Sequence, residues 1–148
     1  MIKGCGQHPG YNYIEMHLPV VRLETIHAIL AIAITKGLQI QQMDVKGAYL
    51  NGTLKETIYM HQPNGYDDRT SRVCKLRKTL YGLKQSSWEW NVEFDKKMRK
   101  QGFQRLCSKL CAYTCFNENK IAIITIWIDD LLLFADSAEM MEKIKRDI

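Results

Sequence analysis

The chain has 148 residues, of which 46% are apolar and 25% are charged, and its formal net charge is +5. The chain is too short for two domains that each have a full hydrophobic core, and its composition excludes an intrinsically disordered chain. The longest apolar run is broken by Asp129 and Asp130 before it reaches the roughly 18 residues of a membrane span, and no signal-peptide apolar region opens the sequence. We therefore expect an intracellular protein with no membrane partner. The five cysteines, an odd number, argue against a closed disulfide set.

The first half of the sequence predicts one helix followed by a strand. From Val20 onward the apolar residues recur at helical spacing, and Gly37 suits the C-terminus of that helix. The predicted buried stripe consists of Leu23, Ile26, His27, Leu30, Ala31 and Ile34. Residues 38–45 then alternate between apolar and polar side chains, which is typical of a half-buried strand that ends near Asp44.

Two short predicted strands, at 57–61 and 73–76, precede a second helix. Ser86 and Glu89 form a capping-box pattern at the start of this helix, and Gly102 suits its end. The helical spacing predicts a buried face made of Trp90, Phe94 and Met98.

Residues 121–134 carry the most informative pattern of the chain. An apolar, β-branched run reaches Asp129 and Asp130, and a second apolar run follows, which predicts two antiparallel strands. We place both aspartates at the hairpin tip, because burying a charge within a strand costs several kcal/mol. A capping pattern at Asp136 and Glu139 predicts a closing helix. Together, these elements indicate an α+β fold.

Asp44 also follows an apolar strand, so neighbouring strands would bring three carboxylates to one edge of a sheet. Such a cluster can bind two Mg²⁺ ions roughly 3.5–4 Å apart, which activate an attacking hydroxyl and stabilise a leaving pyrophosphate. The alternative is that Asp129 and Asp130 are ordinary turn residues, since a solvated pair of aspartates needs no metal ion.

The positive charge is concentrated in one segment, here called the basic stripe, which comprises Arg69, Arg72, Lys75, Arg77, Lys78 and Lys84. Such a stripe suits a nucleic-acid backbone, because each phosphate that is neutralised releases counterions. The alternative is a solvated strand or loop face.

Several segments resemble copia-type LTR-retrotransposon reverse transcriptases. Residues 42–52, with the sequence QMDVKGAYLNG, closely resemble the family's first catalytic motif, and residues 58–66 and 73–85 continue the match. Residues 127–130, Trp-Ile-Asp-Asp, resemble the family's Tyr-Val-Asp-Asp box, and residues 19–26 fit the approach to its first palm helix. The motifs keep the family's order and cover nearly the whole chain.

The resemblance implies a polymerase palm, that is, an antiparallel sheet with a split β-α-β, ferredoxin-like core packed on helices. It implies that residues 1–148 form a single partial domain, the palm plus part of the fingers, with the thumb, RNase H, integrase and protease absent from it. In this palm the catalytic metal ligands would be Asp44, Asp129, Asp130 and the backbone carbonyl of Val45.

Three further positions match the family's nucleotide-binding region. Tyr49 stands where the family places the aromatic ring that excludes a ribose 2′-hydroxyl, which would select deoxynucleotides by steric exclusion. Gly82 and Gln85 fall in the loop that lies against the incoming nucleotide and the template. Core packing for Tyr49 and turn chemistry for Gly82 are the alternatives.

The implied parent activity is RNA-directed DNA synthesis by two-metal nucleotidyl transfer, with Mg²⁺ as the cofactor and Mn²⁺ as an alternative ion. The implied partners are an RNA or DNA primer–template, dNTPs and other parts of the retroelement polyprotein. The implied location is a cytoplasmic virus-like particle, with the nucleus as the alternative. Two other functions stay open, namely a non-catalytic nucleic-acid-binding module and a decayed retroelement remnant.

The chain also departs from the family's pattern. Ser86, Ser87 and Trp88 replace the usual Ala-Pro-Arg, and Trp127 replaces the Tyr beside the two aspartates. The resemblance does not extend to the family's parts that hold the triphosphate, the primer and the duplex. Because such positioning is worth roughly 7–11 kcal/mol of a reaction barrier, we expect this chain alone to polymerise weakly or not at all.

Overall fold

A computed structural model of the protein describes residues 4–8, 10–11, 13, 20–106, 111–117 and 120–148. It divides the chain into a smaller unit, Met1–His17 with Tyr49–Glu93, and a larger unit, Leu18–Ala48 with Phe94–Ile148. The helices are α1 (Leu23–Lys36), α2 (Ser86–Lys100) and α3 (Ala138–Asp147). The strands are β1 (Gln39–Asp44), β2 (Tyr59–Met60), β3 (Cys74–Lys75), β4 (Gln104–Arg105), β5 (Ala112–Asn117), β6 (Lys120–Trp127) and β7 (Asp130–Ala135). Within the described residues there are also two short 3₁₀ helices, Gly4–Gly6 and Ala48–Asn51.

The larger unit is built on a five-stranded antiparallel sheet with the strand order β1-β7-β6-β5-β4. Strands β6 and β7 form the predicted hairpin, in register from the pair Ala122–Ala135 to the pair Trp127–Asp130. Residues 122–126 are all buried, because they lie in the middle of the sheet between covered faces. Antiparallel strands combined with helices confirm the predicted α+β class.

Helix α1 packs on one face of this sheet, but through a different side from the one that its periodicity predicts. Its buried residues are Thr25, Ile29 and Ala33, and the last two share a core cluster with Ile123 and Phe134. The predicted stripe is wrong, since its members are exposed or only half-buried: Leu23, Ile26, His27, Leu30, Ala31 and Ile34. The helix is apolar almost all round, so the spacing of its apolar residues does not select a buried face.

The glycine-terminated helices and the buried face of α2 are as predicted. Gly37, with φ 66°, closes α1 in the left-handed conformation, and Gly102, with φ 86°, follows the end of α2. Trp90, Phe94 and Met98 are buried. None of the described helices is both long and apolar enough to cross a membrane.

The two predicted capping patterns are wrong. Ser86 is already the first residue of α2, and its hydroxyl donates to the carbonyl of Leu80 at 2.6 Å instead of capping the helix. Helix α3 is capped by Ser137, one residue later than predicted, and Ser137 Oγ accepts the N–H of Met140 at 3.3 Å. Ser86 therefore bonds to a loop carbonyl and not to the helix N-terminus, and Ser137 takes the capping position that the pattern gave to Asp136.

The face of the sheet opposite α1 carries Tyr113. Its ring meets Phe94 edge-on with 5.5 Å between the ring centroids. Arg105 donates to the Tyr113 hydroxyl at 2.7 Å and forms an ion pair with Asp95 at 2.9 Å. Burial raises the pKa of Tyr113 to about 12.

The smaller unit contains a short antiparallel pair, β2 with β3, at the two places where short strands were predicted. Thr53 and Lys78 form an isolated bridge nearby. Thr79 is fully buried, and its hydroxyl donates to the carbonyl of Tyr49. Gly52 packs so closely on this threonine that a β-carbon at Gly52 would lie 2.4 Å from Thr79 Oγ1. Glycine is therefore required at this position.

Candidate metal and nucleotide site

Asp44 and Asp130 are direct partners across the β1–β7 pair. The N–H of Val45 donates to the carbonyl of Asp129 at 3.0 Å. This bond makes Asp44–Asp130 a non-hydrogen-bonded pair, in which the Cα atoms typically lie about 4.5 Å apart. Direct partners point to the same face of a sheet, and both residues are exposed. The structure therefore brings these two carboxylates together on one face.

Asp129 lies in the two-residue turn that joins β6 to β7, whereas Asp130 is the first residue of β7. Both aspartates therefore lie at the end of the hairpin, Asp129 in the turn and Asp130 in the exposed residue pair that closes it. Ile128, the first residue of the turn, has φ 58°. This left-handed conformation costs an L-residue on the order of 1–2 kcal/mol, and such strain concentrates at functional sites.

The donor chemistry of the pair suits a hard divalent cation. Mg²⁺ prefers oxygen ligands and is commonly held by one or two carboxylates together with substrate phosphates. Two like charges in direct partnership repel each other, and a cation between Asp44 and Asp130 would remove that repulsion. In the part of the chain that the structure describes, no group of three His, Cys, Asp or Glu side chains is arranged to hold a metal ion. Asp44 and Asp130 thus fit a shared cation as a pair, with Asp129 in the adjoining turn.

The backbone carbonyl of Val45, the further ligand that the resemblance implies, accepts the N–H of Ala48 at 3.2 Å. A carbonyl oxygen has two lone pairs, so this bond leaves one of them for another partner.

Tyr49 and Gly82 both lie in the smaller unit. The half-buried ring of Tyr49 stands 4.7 Å from the ring of Tyr81, with 38° between the two planes. Gly82 has φ 104°, and a β-carbon at Gly4 would lie 2.0 Å from the carbonyl oxygen of Gly82. Gly82 therefore needs to be glycine because of its backbone conformation, and Gly4 needs to be glycine because it packs directly on the carbonyl of Gly82.

Gln85 is fully buried in the same unit. Its Oε1 accepts from Gln7 Nε2 at 2.9 Å, and its Nε2 donates to Glu56 Oε2 at 3.3 Å. Gln7 in turn accepts the backbone N–H of Lys84 at 2.9 Å. These bonds tie the loop around Lys84 to the N-terminal segment, so the side chain of Gln85 holds the loop from inside.

The basic stripe is exposed at every position, namely Arg69, Arg72, Lys75, Arg77, Lys78 and Lys84. Arg72 is paired with Asp68. Hydrogen bonds from Thr70 and Gln62 lower the pKa of Asp68 to about 2, so this partner stays charged at neutral pH. The charge of Arg72 is therefore partly neutralised within its own loop.

A family model described as reverse transcriptase (RNA-dependent DNA polymerase) matches residues 1–148. The chain belongs to this family. It is 38% identical, over its whole length and 11% of the relative, to the retrovirus-related Pol polyprotein from transposon TNT 1-94 of Nicotiana tabacum. It is 36% identical, over 94% of the chain and 10% of the relative, to the corresponding polyprotein from transposon RE1 of Arabidopsis thaliana.

The resemblance also reaches fungi. The chain is 30% identical, over 96% of its length and 12% of the relative, to the truncated transposon Ty1-A Gag-Pol polyprotein of Saccharomyces cerevisiae. These relatives confirm the resemblance to copia-type retrotransposon reverse transcriptases. The chain spans about a tenth of the length of the curated relatives that it matches. No solved structure matches the chain.

Two further residues of this reverse transcriptase segment share the face of the aspartate pair. The motif already places Trp127 beside the aspartates in sequence, whereas no motif singles out Gln42. Trp127 is the direct partner of Asp130 across β6–β7, and 47% of its surface is exposed. Gln42 lies two residues before Asp44 on β1, and its Nε2 donates to Asp130 Oδ1 at 3.3 Å. The period of two along a strand would have identified Gln42, because every second residue points to the same face.

Proposed function

We propose that the larger unit is the catalytic palm of a retrotransposon reverse transcriptase and that its aspartates serve metal-dependent nucleotidyl transfer. The observation that supports this proposal most strongly is the register of β1 with β7, which makes Asp44 and Asp130 direct partners on an exposed face. The family membership supplies the reaction class, RNA-directed DNA synthesis. The proposed partners are a primer–template, dNTPs and the rest of the Pol polyprotein, inside the cell.

In this proposal Asp44 and Asp130 would hold the cations, with Asp129 and the carbonyl of Val45 as further ligands. A bound Mg²⁺ pair supplies Lewis-acid stabilisation to the attacking 3′-hydroxyl and to the leaving pyrophosphate. The protein residues act by position, because Asp44 ends one strand and Asp130 begins the next. Both are therefore fixed by backbone hydrogen bonds of the same sheet, which is the rigid placement that a catalytic constellation needs.

The smaller unit is proposed to bind the nucleotide and the nucleic acid. Tyr49 would exclude a ribose 2′-hydroxyl by its bulk, and its ring is supported by Tyr81 at 4.7 Å. Gly82 would leave space for a base or a phosphate, and Gln85 would keep the loop in shape through its buried bonds. The exposed cations of the basic stripe would contact phosphates without reading sequence.

Equilibrium binding of a radiolabelled dNTP to the purified chain, with and without Mg²⁺, tests the proposal. Binding should require Mg²⁺ and should weaken at least about tenfold in Asp44→Asn and in Asp130→Asn, since even the outer hydrogen-bond partners of a metal site are typically worth this much. Asp67→Asn is the matched control, because Asp67 is exposed and its Oδ1 accepts the N–H of Arg69 at 2.8 Å, a bond that asparagine can also accept. Binding that is unchanged in both site variants would contradict the proposal.

A nucleic-acid-binding module without turnover is the alternative; the exposed basic stripe fits both functions, and the family membership does not favour this one. This function predicts salt-dependent binding of a labelled primer–template that is indifferent to Asp44→Asn and to Mg²⁺, together with no Mg²⁺-dependent binding of dNTP. Titrations of the primer–template and of the dNTP therefore distinguish the two candidate functions.

A further inference from the structure

The hydrogen bond from Gln42 to Asp130 has a geometric origin in the sheet. Gln42 is the direct partner of Leu132 and Asp44 is the direct partner of Asp130, so Gln42 and Asp130 are diagonal neighbours on one face. Diagonal neighbours lie about 7–8 Å apart at Cα, which a long polar side chain can span. The contact observed is Nε2 to Oδ1 at 3.3 Å. Gln42, Asp44 and Asp130 thus form a triangle of side chains on the exposed face.

We propose that Gln42 is a positioning residue for the carboxylate of Asp130 at the metal site, an inference that rests on the function proposed above. The amide donates to Oδ1 and so restricts the rotation of the carboxylate beside Asp44. An ionised carboxylate has about four acceptor positions, so one bond at Oδ1 leaves capacity for a cation. Metal-binding carboxylates are commonly held by such outer hydrogen bonds.

The chemical type of the side chain also fits this role. A lysine or an arginine at position 42 would neutralise Asp130 and repel an arriving cation, and a third carboxylate would add to the repulsion between Asp44 and Asp130. A glutamine donates a hydrogen bond and brings no net charge. It therefore orients the carboxylate and leaves the negative charge of the pair to the metal ion.

The expected size of the effect follows from similar contacts. Loss of an outer hydrogen bond to a metal ligand typically weakens metal binding about 10- to 100-fold. The bond here is long and Gln42 is exposed, so we expect the lower end, about tenfold.

The test is a titration of the full 148-residue chain with Mn²⁺, followed by electron paramagnetic resonance, and a thermal melt of the metal-free protein. Gln42→Met removes the amide at similar volume, and Gln42→Thr, which favours strands, serves if the methionine variant aggregates. The matched control is Gln41→Met, since Gln41 is equally exposed on the same strand but points to the opposite face. Gln42→Met should bind Mn²⁺ about tenfold more weakly with an unchanged metal-free melting temperature, and Gln41→Met should bind like the parent.

Asp44→Asn and Asp130→Asn are titrated alongside, so that the two ideas fail separately. If both aspartate variants lose Mn²⁺ binding and Gln42→Met keeps it, the role of Gln42 is refuted and the metal site stands. If the parent binds no Mn²⁺, or if the aspartate variants bind it like the parent, the metal site is refuted and the role of Gln42 with it. Equal weakening in Gln42→Met and Gln41→Met would also refute the inference, because it would show a general effect of altering β1.

Discussion

Removing one charge from the Asp44–Asp130 pair should stabilise the metal-free protein. The two residues are direct partners in a non-hydrogen-bonded pair, so their carboxylates share one face at close range. Asp130 Oδ1 accepts a hydrogen bond from the amide of Gln42, which is neutral and so does not offset the repulsion between the two carboxylates. In the metal-free state each carboxylate therefore raises the energy of the other. Asparagine has nearly the same shape and can still accept the bond from Gln42.

The magnitude follows from Coulomb's law. Two unit charges about 5 Å apart repel by about 0.8 kcal/mol at the dielectric constant of water and by about 3 kcal/mol at an effective value of 20. Both residues are exposed, so the value should lie near the water limit, at about 1 kcal/mol. For a chain of this size, such a change raises the melting temperature by about 2–4 °C.

The assay is a thermal melt in low salt with a chelator, for the parent, Asp44→Asn, Asp130→Asn, the double variant and the control Asp67→Asn. Each single site variant should melt about 2–4 °C above the parent, and the second substitution should add less than the first, because the repulsion is already gone. The gain should shrink in high salt, since salt screens exposed charges. Added Mg²⁺ should then stabilise the parent and not the variants. The reasoning is refuted if both single variants melt below Asp67→Asn in low salt without metal.

Three other predictions follow from the same structure. Burial raises the pKa of Tyr113 from 10.0 to about 12 and that of Cys111 from 9.0 to about 11. The free energy of unfolding should therefore fall as the pH rises between the ordinary and the raised pKa of each group, by up to about 1.4 kcal/mol per pH unit for each. Thermal melts between pH 8 and pH 11.5 should show a shallower fall in Tyr113→Phe. Gln85→Leu should lower the free energy of unfolding in urea by about 1–3 kcal/mol, because Gln85 is fully buried and its loss leaves the half-buried side chains of Gln7 and Glu56 without this partner. Lys75→Glu and Arg77→Glu should weaken primer–template binding uniformly across sequences and flatten its dependence on salt, which a filter-binding titration at several salt concentrations would measure.

The sequence predicted the central hairpin well, because its buried strands have continuous apolar runs with clear ends. It also predicted the strand that ends at Asp44, but that strand is almost wholly exposed and not half-buried, since it lies at the edge of the sheet. It did not predict which side of α1 is buried. That helix offers apolar residues in nearly every direction, and only the sheet beneath it selects Ile29 and Ala33 over Leu23 and Ile34. The spacing of apolar residues along the helix cannot show which side is buried, because that depends on the sheet surface against which the helix packs.

At the candidate site, the sequence identified the aspartates and the possibility that they meet at one edge of a sheet, but not the strand register that pairs two of them. The register that pairs Asp44 with Asp130 depends on which strands are neighbours, and the turn at Ile128 depends on a backbone conformation that its residue type disfavours. A β-branched residue gives no signal for a positive φ. The role of Gln42 was accessible in principle through the period of two along β1, but only once Asp130 was known to lie beside that strand.

The measurement that tests the central claim most directly is paramagnetic line broadening by trace Mn²⁺ in the NMR spectrum of the chain. Trp127 is the direct partner of Asp130, so its indole N–H is the signal to follow. A cation held by Asp44 and Asp130 should broaden the Trp127 indole signal at substoichiometric Mn²⁺, and Asp44→Asn should abolish the broadening, whereas Asp67→Asn should leave it intact. A Trp127 signal that stays sharp while other signals broaden, or that broadens equally in Asp44→Asn, would contradict a metal site at this pair.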